Sequence, residues 1–153
     1  MKVVQPSDLK IGNYIRISNA DTNLSDKIGR IGKVIQLEDD RIIILLSKKW
    51  LGDTYCSDLV GEMEAIPIDR EKLLSMGWRK KSFGDLDFTQ LSTERHATLH
   101  DDNTLVITRG VCNKRHHYKR ETMLCIKLDG IHELQNALTS CGIKDMISYE
   151  ELV

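Results

Sequence analysis

Arg109-Gly110-Val111-Cys112-Asn113-Lys114-Arg115-His116-His117-Tyr118-Lys119-Arg120 is the most unusual stretch of this 153-residue chain. Five of the twelve side chains are permanently cationic, two are histidines and one is a tyrosine. A loop of that composition between two strands presents concentrated positive charge beside an aromatic ring, which suits phosphate contacts and base stacking. Trp78-Arg79-Lys80-Lys81 is a second basic-aromatic patch. The candidate binding residues are therefore Lys114, Arg115, His116, His117, Lys119 and Arg120, with Arg79, Lys80 and Lys81 in support. The charges also have a plainer use, because cations at a hairpin tip keep an edge strand from pairing with other chains.

Other groupings are weaker. Cys112, His116 and His117 have C-x-x-x-H-H spacing, and Cys125 or His100 could join them. Zinc needs four ligands converging tetrahedrally, and the cationic neighbours oppose a dication, so no metal ligands are assigned. Nucleophilic catalysis would draw on Cys112 with His116, or His96 with Asp101, plus an orienting group. Neither pairing is more specific than chance. No G-x-S-x-G, P-loop, G-x-G-x-x-G or H-E-x-x-H sequence occurs. The expectation is a protein that is not an enzyme, with no catalytic residue and no cofactor. Asp39-Asp40 and Asp101-Asp102 fall where turns are expected and where Asp is favoured for its backbone hydrogen bonding. His132, Gln135 and Asn136 share one side of the last helix, read as its polar side. There they could bind a small polar ligand or dock the helix through polar contacts. Trp50, Leu51 and Tyr55 could form an apolar rim for a protein partner, or cover the mouth of a barrel.

Composition narrows the classes further. The 22 Lys and Arg and 23 Asp and Glu nearly cancel, leaving a net charge of -1, so electrostatic function must come from local clustering. Hydrophobic residues at 41% and charged residues at 29% are ordinary for a globular chain. A chain of this length buries roughly 70% of its unfolded surface and needs no disulfide or metal to stay folded. No run of about 18 apolar residues exists, so no membrane span is expected. Met1-Lys2-Val3-Val4-Gln5-Pro6 lacks the apolar core of a signal peptide, so a cytoplasmic location is expected. Cys56, Cys112, Cys125 and Cys141 form no C-x-x-C pair and are expected as free thiols.

The elements that must position these residues can be read from their patterns. Gly12-Asn13 signals a turn before a strand at Tyr14-Ile15-Arg16-Ile17. Residues 28–37 alternate glycines with β-branched residues, which predicts a sharply bent strand. After the Glu38-Asp39-Asp40 turn, Ile42-Ile43-Ile44-Leu45-Leu46 is apolar enough to predict burial on both faces. Asp69 as N-cap and Gly77 at the C′ position frame a helix over about 69–76. Weak alternation at 86–91, a hairpin over 96–108 turning at Asp101-Asp102-Asn103, and a strand at 123–128 follow. Ile131, Leu134, Leu138 and Cys141 share one stripe of a helix over about 130–141, with Asp129 as its cap and Gly142 as its stop.

Two resemblances follow from these segments. Gly32-Lys33-Val34, Asp39-Asp40 and Ile42-Ile43-Ile44 resemble the rhythm of SH3-like small barrels of the KOW and Tudor type. Leu9-Lys10-Ile11-Gly12-Asn13, Ile66-Pro67-Ile68 with Glu71, Leu73, Gly77 and Trp78, and His132-Glu133-Leu134-Gln135-Asn136 form a second set. They resemble the L-R-I-G-N, I-P-L-x-x-E-x-L-x-x-x-G-F and H-x-L-Q-N elements of small uncharacterised proteins carried by prophages and mobile elements of Bacteroides-like bacteria. Lys72 replaces the usual aromatic, and Ala137-Leu138-Thr139 follows Asn136 without the usual gap. That resemblance implies an origin and carries no activity.

The expected fold is α+β and β-rich. The N-terminal half is an SH3-like barrel or curved antiparallel sheet, followed by a second antiparallel β segment and two short helices. The chain is expected as one compact domain, with a possible subdivision at 1–66 and 67–153. The expected function is a binding or accessory protein that contacts nucleic acid through the basic loop. A protein–protein adaptor or homo-oligomer, and a nucleotide or small-ligand binder, are the alternatives.

Overall fold

A computed structural model describes residues 3–18, 28–38, 42–48, 51–57, 63–112, 118–144, 147, 148 and 152. Within them, eleven strands build two antiparallel sheets, accompanied by two helices: a β-rich α+β fold. The chain divides into two compact units. The first comprises 1–67, 129–133 and 148–153, and the second 68–128 and 134–147.

The first unit holds β1 (Val3–Val4), β2 (Tyr14–Ile17), β3 (Ile31–Leu37), β4 (Ile42–Lys48), β5 (Leu51–Ser57) and β6 (Met63–Glu64). Its sheet runs in the order β1-β6-β2-β3-β4-β5 and is open among the described residues, so of the two expected forms, a small barrel or an antiparallel sheet, the sheet is the one present. Ile15, Ile17, Val34, Ile42, Ile44, Leu46 and Met63 form its core. The expected turn before β2 is present. Gly12 has φ of 99°, and the Asn13 side chain accepts from the Lys10 amide at 2.8 Å.

Two expectations for this sheet need correction. Residues 28–37 are not one bent strand: Gly29 is a turn residue with φ of 82°, and β3 begins at Ile31. The irregularity lies instead at Ile35, where the β3–β4 register slips between Val34 and Gln36 and leaves the side chain exposed. The run at 42–46 is also not buried on both faces. Ile42, Ile44 and Leu46 are buried while Ile43 and Leu45 are half-buried, because successive side chains alternate across the sheet. Leu51 and Tyr55 lie on β5, opposite Lys48 and Ile44, and Trp50 lies outside the described residues.

The second unit is a meander of β7 (Arg79–Lys80), β8 (Leu86–Gln90), β9 (Arg95–Leu99), β10 (Thr104–Cys112) and β11 (Tyr118–Lys127), each strand paired with the next. Helix α1 (Arg70–Ser75) is capped as the sequence predicts. Asp69 Oδ1 accepts from the amides of Glu71 and Lys72 at 3.0 and 3.3 Å. At its other end Gly77, with φ of 96°, lets the Trp78 amide reach Leu73 O at 3.1 Å, a Schellman closure. Helix α2 (Ile131–Ser140) closes in the same way, with Gly142 at φ of 66° and Ile143 donating to Leu138 O. At its start the Glu133 carboxylate accepts from the Asp129 amide at 2.6 Å.

Gly32 marks the tightest approach in the first sheet. A Cβ there would collide with Ile44 and come within 2.7 Å of Leu46 Cδ2 and 3.3 Å of Leu45 O. Because Ile44 and Leu46 are themselves buried, they cannot swing away. Gly32→Ala is expected to destabilise the protein by about 1–3 kcal/mol, the usual cost of overpacking, read as a lower urea midpoint at unchanged slope.

Candidate functional site

Alternation along β8, β9 and β10 sorts the second unit's side chains onto two faces. Leu86, Ala97, Leu99, Leu105 and Ile107 point to one side and are buried, with Phe88 half-buried beside them and 5.7 Å from the Trp78 ring. The chain beyond α2 is tied to that side, where Arg95 donates to Gly142 O at 2.6 Å and Gln90 Oε1 accepts from the Lys144 amide at 2.9 Å. The opposite face therefore receives Asp87, Thr89, His96, Thr98 and Thr108, all half-buried.

Charge gathers on this second face from both edges of the sheet. Arg79 stands opposite Asp87 across β7 and β8, and Lys81 Nζ is 3.1 Å from Asp87 Oδ1. The Thr98 hydroxyl donates to the same carboxylate oxygen at 2.8 Å. From the far edge, the Arg120 guanidinium reaches His96 Nε2 at 3.3 Å, while His96 Nδ1 lies 2.9 Å from Thr89 Oγ1. Tyr118 belongs to the same side. A Cβ on Gly110 would run into its ring, so the tyrosine lies over the glycine, next to Arg120, and stays 56% exposed. A groove of about 340 Å³ lies beside β7 and β8, lined by Gly77, Arg79, Asp87, Phe88 and Thr89, residues of both faces.

The basic stretch that drew attention in the sequence is largely strand. β10 runs on through Cys112 and β11 starts at Tyr118, with Arg109, Gly110, Val111 and Cys112 facing Glu121, Arg120, Lys119 and Tyr118 in register. Charged side chains do not prevent this, because the backbone ladder is indifferent to residues that point into water. Lys114, Arg115, His116 and His117 lie outside the described residues.

The pairing splits the other candidates. Arg79, Lys81 and Arg120 share the polar face. Lys80 pairs with Leu86 and Lys119 with Val111, which puts both on the opposite side. His96 and Thr89 were not singled out from the sequence as part of this surface. The signal was available in two period-two runs, Asp87 and Thr89 alternating with Leu86 and Phe88, and His96 and Thr98 flanking Ala97 before Leu99.

Several other groupings resolve into structural contacts. Asp101 pairs with Arg70 at 3.5 Å rather than with His96. Arg70 also donates to the carbonyls of Gly84, Leu99 and His100, holding the two turns together. Asp102 accepts from the Thr104 amide and hydroxyl, both at 2.9 Å, and these bonds hold its carboxyl below the usual range. His132 and Gln135 do not lie on an exposed polar side: both are buried, and Asn136 is half-buried. That placement fits the helix-docking reading of these residues. Among the described residues no three His, Cys, Asp or Glu side chains come together as a metal site, and Cys112, Cys125 and Cys141 are free thiols.

His96 titrates below its ordinary value of 6.5, through desolvation first and then the Arg120 charge, with Asp87 opposing and Lys81 adding to the depression. Just below pH 6.5 the unfolded chain therefore binds more protons than the native one. Stability contributed by neutral His96 is present above that pH and is lost as pH falls towards the folded pKa. His96→Gln is expected to flatten the acid side of the stability–pH profile over that window, measured by thermal denaturation at a series of pH values.

No known protein family, curated protein or solved structure matches this chain.

Proposed function

We propose that this chain is a non-enzymatic binding module that takes single-stranded nucleic acid across the polar face of its second sheet. The single observation that supports this is the arrangement of Tyr118, Arg120, His96, Lys81 and Arg79 on one side of five consecutive strands. An exposed ring offers a stacking surface for a base, and the cations beside it suit the phosphates on either side. Five strands at about 4.8 Å spacing span roughly 19 Å, room for a few nucleotides. Three cations face one carboxylate, Asp87, whose charge Lys81 already offsets. Lys114, Arg115, His116 and His117 enter the proposal on their residue types alone. The resemblance to proteins of prophages and mobile elements suggests the setting, an accessory role in the bacterial cytoplasm. No helix among the described residues is long and apolar enough to cross a membrane.

Charge reversal at Arg79, Lys81 and Arg120 together is expected to abolish retention of an oligothymidylate at low salt. Each reversal alone should lower the slope of log affinity against log salt by about 0.7, the single-strand value for one phosphate contact. Tyr118→Ala should weaken binding by about 1–3 kcal/mol, the range for one stacked base, without changing that slope. Unchanged retention by the triple variant would remove the nucleic-acid reading.

A second reading draws on β11 itself. This ten-residue strand lies at the edge of its sheet and exposes Met123, Cys125 and Ile126. Edge strands of that kind pair with other chains. On this reading the protein is a homodimer in light scattering, and Met123→Lys with Ile126→Lys makes it a monomer. A wild-type monomer at high concentration rejects it.

A further inference from the structure

The geometry assigns to the Arg120–His96 contact a phosphate-class anion site that fills as His96 takes up a proton, so that the face holds its ligand more tightly in acid. The biological ligand rests on the nucleic-acid reading above; the mechanism rests on the hydrogen-bond chemistry of two side chains.

A guanidinium has donors and no acceptor. Arg120 reaches His96 Nε2 at 3.3 Å, so that nitrogen must present its lone pair. The ring proton then sits on Nδ1 and is donated to Thr89 Oγ1 at 2.9 Å. Both ring nitrogens are thereby committed, and the arrangement exists only while His96 is neutral. A proton from solvent can add only at Nε2. Adding it turns the acceptor into a donor, leaving the imidazolium N–H and the guanidinium N–H facing each other with like charge. An anionic oxygen between them accepts from both and restores the balance.

The surroundings favour that exchange. Arg120 comes from β11, Lys81 from the segment after β7, and Asp87 from β8, with Arg79 opposite Asp87 on β7. The other groups on this part of the face, Thr89, Thr98 and Thr108, are neutral. Asp87 is the one carboxylate among those described, and it already accepts from Thr98 and pairs with Lys81. It offers protonated His96 some attraction but stands beside cations that outnumber it. Desolvation first and the Arg120 charge second hold His96 below its ordinary pKa, which favours the neutral ring. A bound phosphate removes the repulsion and supplies an opposite charge, so binding takes up a proton and protonation promotes binding.

Oligothymidylate of about ten residues is a suitable probe, because thymine and its phosphodiesters do not titrate between pH 5.5 and 8. Fluorescence anisotropy at constant ionic strength should show affinity rising as pH falls, by up to about tenfold for each unit that bound ligand raises the His96 pKa. The His96 ring resonance, identified by its loss in His96→Gln, should titrate at higher pH with oligothymidylate or inorganic phosphate present. His96→Gln and Arg120→Gln should each flatten the pH dependence of binding. Binding that is independent of pH, or a pH dependence that survives in His96→Gln, overturns the proton-coupled site and leaves the nucleic-acid reading standing. A chain that ignores oligothymidylate at every pH, yet shows the His96 pKa rising with inorganic phosphate, supports the site and overturns the nucleic-acid reading.

Discussion

Neighbouring side chains on a hydrogen-bonded strand must point to opposite sides of the sheet, and in the second unit that requirement acts on three central strands at once. Leu86, Ala97, Leu99, Leu105 and Ile107 are driven together by burial, at roughly 1.5–3 kcal/mol for each large side chain removed from water. Once they take one side, Asp87, Thr89, His96, Thr98 and Thr108 have no choice but the other. A slip of one residue in any strand would exchange the two sets. The polar face is thus fixed by the stability of the apolar one, and its charged groups are held in register without needing to stabilise the fold themselves.

The energetics of the two faces differ accordingly. In the Lys81–Asp87 contact the lysine end is half exposed, and an ion pair so open to solvent on one side contributes on the order of 1 kcal/mol. Little stability is invested in the charged surface, so its groups can exchange partners for a ligand at small cost. Arg70 is the contrasting case: its guanidinium is spent on three backbone carbonyls and Asp101, and it has little left to offer a partner.

Local signals were the most legible part of the sequence. Asp69 and Gly77 bracket α1 because capping chemistry is confined to a few residues, and the Asp101-Asp102-Asn103 turn is readable for the same reason. The hairpin carrying the basic residues was not, since Lys119 and Arg120 look like loop residues until the backbone ladder with Gly110 and Val111 is seen. β5 was missed because Gly52 and Asp53 interrupt its pattern, and its pairing with β4 is a non-local fact. For the site, residue type pointed to Arg79, Lys81 and Arg120, but the sharing of one face by strands far apart in sequence depends on register. Lys80 and Lys119 show the limit of composition: each lies next to a face residue in sequence and across the sheet from it in space.

The hairpin of β10 and β11 reaches past its neighbour. Pairing with β9 stops at Arg109, with one further bond from the Gly110 amide to Glu94 O, so Val111, Cys112, Tyr118 and Lys119 are laddered only to each other among the described residues. A two-stranded ribbon is marginal on its own, and this one can fray without disturbing the apolar layer beneath the rest of the sheet. Tyr118 and Arg120 sit where the cooperative meander gives way to that ribbon. A ligand gripping them would have to quench the fraying, trading affinity for an opening that lets it enter and leave.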